Sequence, residues 1–247
     1  MTADLTVATA AVGRVLALRG AGEAVLTAAE RRRAAAARTP AARGAFVAAR
    51  CLVRLCVARR TGTAPWDVVL EQRCSRCGGP HGPPRVRGAT GRLSVSLSYA
   101  DGFVAAAAAD RPVGIDIERL PAGTAGPDPW SRRRFLTTGE LARIRGSPEP
   151  RTVFLRTWVR KEALVKLGTD GLPAMPALDL SALPLTPAGP DRPHRIGRRC
   201  LYDLADAPTG VVGAVAVIGP GDPASPTPPV LMIDSPIENP APEGEGP

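Results

Sequence analysis

Apolar and polar residues alternate strictly through Leu93-Ser-Val-Ser-Leu-Ser98, the pattern of a strand with one face in a core. Tyr99-Ala-Asp-Gly102 supplies a turn, the wholly apolar run 103–109 reads as a returning strand, Asp110-Arg-Pro112 turns again, and 113–118 is a third strand. These three segments predict an antiparallel meander. Upstream, residues 5–18 alternate weakly and predict a first strand, and helical patterning covers 23–38. Thr39-Pro40 then has the form of an N-cap and a first helical position. The helix it opens carries Phe46, Val47, Leu52, Leu55 and Cys56 on apolar positions and stops before Gly62. Residues 66–72 predict a strand, 73–91 a loop rich in Gly, Pro and Arg, and 121–129 a flexible loop. Helical patterning resumes near Trp130, again over 138–145, and in a longer stretch from Pro150 to just before Gly168, a residue suited to a C-terminal cap. Residues 195–204 and 211–218 predict a strand pair, and the proline- and acid-rich 219–247 a disordered tail.

Helices followed by strands, twice over, predict an α+β fold of two pseudo-symmetric halves, each with helices packed on a small antiparallel sheet. The halves are expected at 1–112 and 113–218, with the tail at 219–247; no residue-level repeat accompanies them. The 247 residues hold no apolar run of about 18, so no membrane span is expected. The start, Met1-Thr2-Ala3-Asp4, lacks the basic and apolar segments of a signal peptide. Five dispersed cysteines, an odd number, favour reduced thiols in a cytoplasmic setting over a disulfide framework.

Charge sharpens the picture. The chain carries +9, yet five of its 23 acids fall in 219–247, which has no Lys or Arg, so the body is more basic than the total suggests. Such a body attracts polyanions: nucleic acid, an acidic protein or a multiply phosphorylated ligand. Among 32 Lys and Arg only two are lysines, Lys161 and Lys166, and both lie in Trp158-Val-Arg-Lys-Glu-Ala-Leu-Val-Lys166. A position that keeps lysine in so arginine-rich a chain suits chemistry that needs a compact, deprotonatable ammonium.

On a strand, Asp116 and Glu118 share a face while Ile115 and Ile117 turn into the core. Two neighbouring carboxylates repel unless a cation lies between them, and a hard ion such as Mg²⁺ takes oxygen ligands of this kind. The plainer alternative is an acidic strand end making surface salt bridges. On a helix, Trp158, Glu162 and Lys166 line one stripe with Lys161 beside it. A carboxylate one turn from an ammonium suits phosphoryl chemistry, the acid as ligand or base and the lysine beside the leaving phosphate. Here the plainer alternative is an ordinary helix ion pair.

Val113-Gly-Ile-Asp-Ile-Glu118 followed by Trp158-x-x-Lys-Glu-Ala-x-x-Lys166 resembles the 4'-phosphopantetheinyl transferases, specifically the larger Sfp-type members whose single chain holds two halves. Phe135-Leu-Thr-Thr-Gly-Glu140 and the helix around Arg43 and Phe46–Arg50 agree with it. The resemblance implies transfer of the phosphopantetheine arm of coenzyme A to a serine of an apo acyl or peptidyl carrier protein, with release of 3',5'-ADP. It implies Mg²⁺ held by Asp116, Glu118 and Glu162, catalysis by Glu162 and Lys166, and nucleotide contacts from Arg43, Ser98, Tyr99, Lys161, Lys166 and the run Arg31–Arg33. A single chain holding both halves is expected to work as a monomer.

The chain departs from the family at two points. Tyr99 stands where the family has the histidine of a Ser-His-Ser turn, and Gly82-Pro83-Pro84 replaces Gly-Lys-Pro or Gly-Arg-Pro, which leaves Arg73, Arg76, Arg85 or Arg87 as substitutes. A coenzyme A- or carrier-binding pseudoenzyme is therefore the alternative. A nucleic-acid-binding module fits the charge but not the 4% aromatic content. Cys74-Ser-Arg-Cys77 with His81 offers three zinc ligands where a closed site needs four, so a metal-free loop is expected.

Overall fold

A strand, a capped short helix, a long helix and a hairpin follow one another twice along the chain. In the computed structural model the described residues are 5–74, 77–80, 82–89, 93–120, 129–167, 172–187, 192–206, 210–219 and 230–233. The first unit contains β1 (Leu5–Ala11), α1 (Val12–Leu16), α2 (Ala28–Ala35), α3 (Pro40–Thr61), the short strands β2 (Leu70–Gln72) and β3 (Pro84–Val86), and the hairpin β4 (Ser94–Ala100) and β5 (Phe103–Ala109). The second contains β6 (Val113–Arg119), a 3-10 segment at Pro129–Phe135, α4 (Thr138–Arg145), α5 (Pro150–Leu167), β7 (His194–Ile196), and the hairpin β8 (Arg199–Asp206) and β9 (Val211–Ile218); β10 (Val230–Ile233) follows. The fold is α+β.

Helix ends explain why these segments form. Thr39 accepts from the Ala42 amide, Pro40 fills the first helical position of α3, and Gly62 ends it at φ 73°. Thr27 and Thr137 each open a capping box with an acid three residues on, Glu30 and Glu140. Both acids are buried, and each meets a cation from the long helix of its unit: Arg54 at 2.7 Å and Lys161 at 2.6 Å.

The strands form two four-stranded sheets, ordered β10-β1-β5-β4 and β6-β9-β8-β7, with β2-β3 as a separate pair. α3 covers one face of the first sheet through Phe46, Leu52 and Cys56 against Ala106 and Ala108. α5 covers the second through Val159, Ala163 and Leu164 against Leu201, Ala214 and Ala216. The remaining faces share a cluster in which Leu5 and Val7 meet Ile115, Ile117 and Val215.

The expected meander breaks at its third strand. β4 and β5 pair, but β6 takes β9 as its ladder partner. β6 still runs beside β4, joined by side chains: the Val113 and Ile115 amides donate to the hydroxyls of Ser94 and Ser96. The polar face of the serine alternation is thus a seam between the sheets.

Other boundaries shift for local reasons. The expected strand over 5–18 ends at Ala11 and continues as α1, and the expected helix over 23–38 begins only after the Thr27 cap. Pro65 opens a short 3-10 turn, so strand begins at Leu70 within 66–72. The expected loop 73–91 contains β3, and 195–204 is a hairpin turning at Gly197, φ 58°. Within the expected disordered tail, the apolar run Val230–Ile233 forms a strand parallel to β1; the rest of 220–247 and Gly168 lie outside the described residues.

Candidate active site

β6 and α5 approach closely because Gly114 carries no side chain. A Cβ there would overlap the Ala163 carbonyl oxygen and come within 2.9 Å of Lys166 Cβ. Gly114, Asp116 and Glu118 share the face of β6 turned toward α5. α5 answers with Trp158, Glu162 and Lys166, spaced one turn apart. A solvent-open pocket of about 310 Å³ results, lined by these residues together with Ser98 and Tyr99 from β4 and Arg132 from the 3-10 segment.

Two of its acids are held by pocket cations. Lys166 Nζ donates to Asp116 Oδ1 at 2.7 Å and to the Ile115 carbonyl at 2.9 Å, and Ser98 Oγ donates to the same Oδ1 at 2.8 Å. Arg132 Nη1 donates to Glu118 Oε1 at 3.2 Å while its guanidinium lies 4.5 Å over the Trp158 ring. No hydrogen bond or ion pair among the described residues engages Glu162.

Burial pushes the Glu162 carboxyl above the ordinary carboxylate range, and the Asp116 charge adds to this against Lys166 and Arg132. Glu118 rises in the same way, by burial first and Asp116 second, with Arg132 opposing. The pocket is therefore short of positive charge. Its donors are carboxylate oxygens, the ligand type of a hard divalent cation such as Mg²⁺. In the arrangement described, no three acid, His or Cys side chains converge at metal-holding geometry among the described residues. Asp116 and Glu118 lean toward Lys166 and Arg132, so the donor set fits the ion in kind and needs a side-chain adjustment to enclose it.

The structure brings together Asp116, Glu118, Glu162, Lys166, Ser98 and Tyr99. It does not bring Lys161 or Arg43 to them. Lys161 is 0% exposed and bound to Glu140, which also accepts from the Leu180 amide. Lys161, expected at the nucleotide, lies on the core side of α5, where burial requires a counter-ion. Arg43 pairs at the surface of α3 with Glu23, at 2.5 and 2.6 Å.

Of the run Arg31–Arg33, Arg31 bonds the Leu26 carbonyl, and Arg33 bonds Gln72 and lies over Phe46. Tyr99 is 47% exposed at the pocket rim. Arg50 is 3% exposed, and burial pulls its guanidinium down to about 10. Arg87 pairs with Glu71. Cys74 and Cys77 sit on a tight turn closed by the Gly78 amide on the Cys74 carbonyl; His81 and Arg76 lie outside the described residues.

Arg132 is the pocket residue that sequence reasoning missed. Its signal was a basic run, Arg132–Arg134, between the two acidic segments, and nothing in the run marks which arginine turns inward. No helix among the described residues is long and apolar enough to cross a membrane. Residues 112–204, which hold every acid and cation of the pocket, match the sequence model of the 4'-phosphopantetheinyl transferase superfamily. No curated protein matches the chain.

Proposed function

We propose that the chain, whose residues 112–204 match the 4'-phosphopantetheinyl transferase superfamily, moves the phosphopantetheine arm from coenzyme A to a serine of an apo acyl or peptidyl carrier protein, as a two-half, Sfp-type enzyme. The observation that carries the reading is the single pocket in which Asp116 and Glu118 of β6 face Glu162 and Lys166 of α5. Asp116, Glu118 and Glu162 would hold Mg²⁺, which when bound supplies positive charge against the diphosphate of coenzyme A.

The protein's own groups then have separable tasks. The carrier serine oxygen attacks the phosphorus that bears the pantetheine arm and forms a new P–O bond. Glu162, the α5 carboxylate of the pocket, accepts the serine proton directly or through water. The bond from that phosphorus to the bridging oxygen breaks, and 3',5'-ADP leaves with the electron pair. Lys166 is the ammonium placed to meet its charge. Trp158 forms an apolar wall, and Ser98 orients Asp116. The basic body suits both a polyanionic co-substrate and an acidic carrier.

The test is the mass of an apo carrier protein after incubation with the chain, coenzyme A and Mg²⁺, over a panel of fatty acid, polyketide and peptide carriers. The expected result is a gain of one phosphopantetheine on at least one carrier, lost with Glu162→Gln. No gain on any carrier, with coenzyme A still bound, would favour a binding-only protein.

A further inference from the structure

Arg132 is the least committed cation of the pocket. Lys166 is fixed by two protein acceptors, Asp116 Oδ1 and the Ile115 carbonyl. Arg132 has a single hydrogen bond among the described residues, 3.2 Å to Glu118, although a guanidinium has five N–H donors. The side chain is 34% exposed, and its other support is the flat Trp158 ring, 4.5 Å away, a contact that constrains height above the ring more than position along it. Trp158 itself is fixed in the core by Phe135 and Phe154. The guanidinium thus has a rigid platform, one long bond and unused donors beside an acid pocket.

Charge says what those donors serve. Asp116, Glu118 and Glu162 outnumber Lys166 and Arg132 by one. A divalent ion reverses that sign, and Arg132 and the ion then compete for Glu118. Phosphate oxygens offer the released guanidinium a better, bidentate partner.

We propose that Arg132 is an exchangeable counter-ion: it holds Glu118 while the pocket has no divalent ion, and transfers to phosphate oxygens of the nucleotide co-substrate once Glu118 turns to the ion. This rests on the proposed function, and adds to it a residue that sets both metal and nucleotide affinity, with opposite sign.

Isothermal titration of the full chain with Mn²⁺ alone, and then with ADP in saturating Mn²⁺, separates the two effects. Arg132→Gln retains polarity and much of the stacking surface but removes the charge. It should bind Mn²⁺ alone about two- to fivefold more tightly, the effect of removing a partly exposed competing cation. It should bind ADP with Mn²⁺ at least about tenfold more weakly, the effect of losing a charged phosphate contact. Arg132→Lys, which keeps the charge, should restore the Mn²⁺ affinity and only part of the ADP affinity. A merely structural role would weaken both, and thermal melting of each variant checks that the fold persists. If both affinities fall together, or neither changes, the exchange role is overturned while the proposed function stands. If the unmodified protein binds no Mn²⁺ at all, the exchange role is overturned, and the carrier-mass assay decides the proposed function separately.

Discussion

Glu118 and Glu162 bind protons more tightly than a free glutamate because burial and Asp116 both oppose their charge. Two consequences follow from that sign. In the metal-free chain the folded state holds more protons than the unfolded one at pH values above the ordinary 4.5, so stability falls as pH rises through that window. Metal binding needs the ionised acids, so Mn²⁺ affinity rises over the same window. Glu162→Gln removes one repelling charge, and should raise the metal-free stability by about 0.5–1 kcal/mol while abolishing transfer. Thermal melting beside the carrier-mass assay checks both, and a destabilised variant would contradict the electrostatic account of the pocket. Lys161 behaves oppositely. Lys161→Met strands the buried Glu140 and should cost about 3–5 kcal/mol. Any protein that remains folded should bind ADP with Mn²⁺ normally; a selective loss of nucleotide affinity without loss of stability would return Lys161 to the site.

At the scale of elements, the site depends on how closely α5 crosses β6. Gly114→Ala forces a methyl against the Ala163 carbonyl and the Lys166 stem. It should cost about 1–3 kcal/mol and move Glu162 and Lys166 away from Asp116, so transfer should fall by more than the lost stability explains. Denaturant melts and carrier mass on the same samples make that comparison, and an alanine variant with full activity would show that the close crossing is dispensable. α3 and α5 were legible in the sequence because local signals specify them: the Thr39-Pro40 start, Gly62, and the apolar spacing of each helix. The i, i+2 and i, i+4 spacings likewise placed Asp116 with Glu118 and Glu162 with Lys166. The partner of β6 was not legible. Sequence adjacency pointed to β5, while the actual ladder is made with β9, about a hundred residues on. Alternation showed that Ser94, Ser96 and Ser98 share a face, but not that another strand's amides and Asp116 would meet them. Lys161 lies one residue before Glu162, and that single step along the helix turns it from the pocket to the buried Glu140.

Across the whole molecule, the same plan appears twice with different chemistry. Each unit buries a capping-box acid against a cation of its long helix, Glu30 with Arg54 and Glu140 with Lys161. Among the described residues, only in the second unit do the strand and the long helix together line a pocket with three carboxylates and an ammonium. The first unit contributes the pocket wall at Ser98 and Tyr99, so the site forms along the seam where β4 meets β6. The central claim is that Asp116, Glu118 and Glu162 share one divalent ion in that seam. Anomalous scattering from crystals grown with manganese and ADP tests it most directly. The account predicts a peak bounded by those three carboxylates, with Lys166 alongside; a pocket without manganese, or an ion bound away from Glu162, would contradict it.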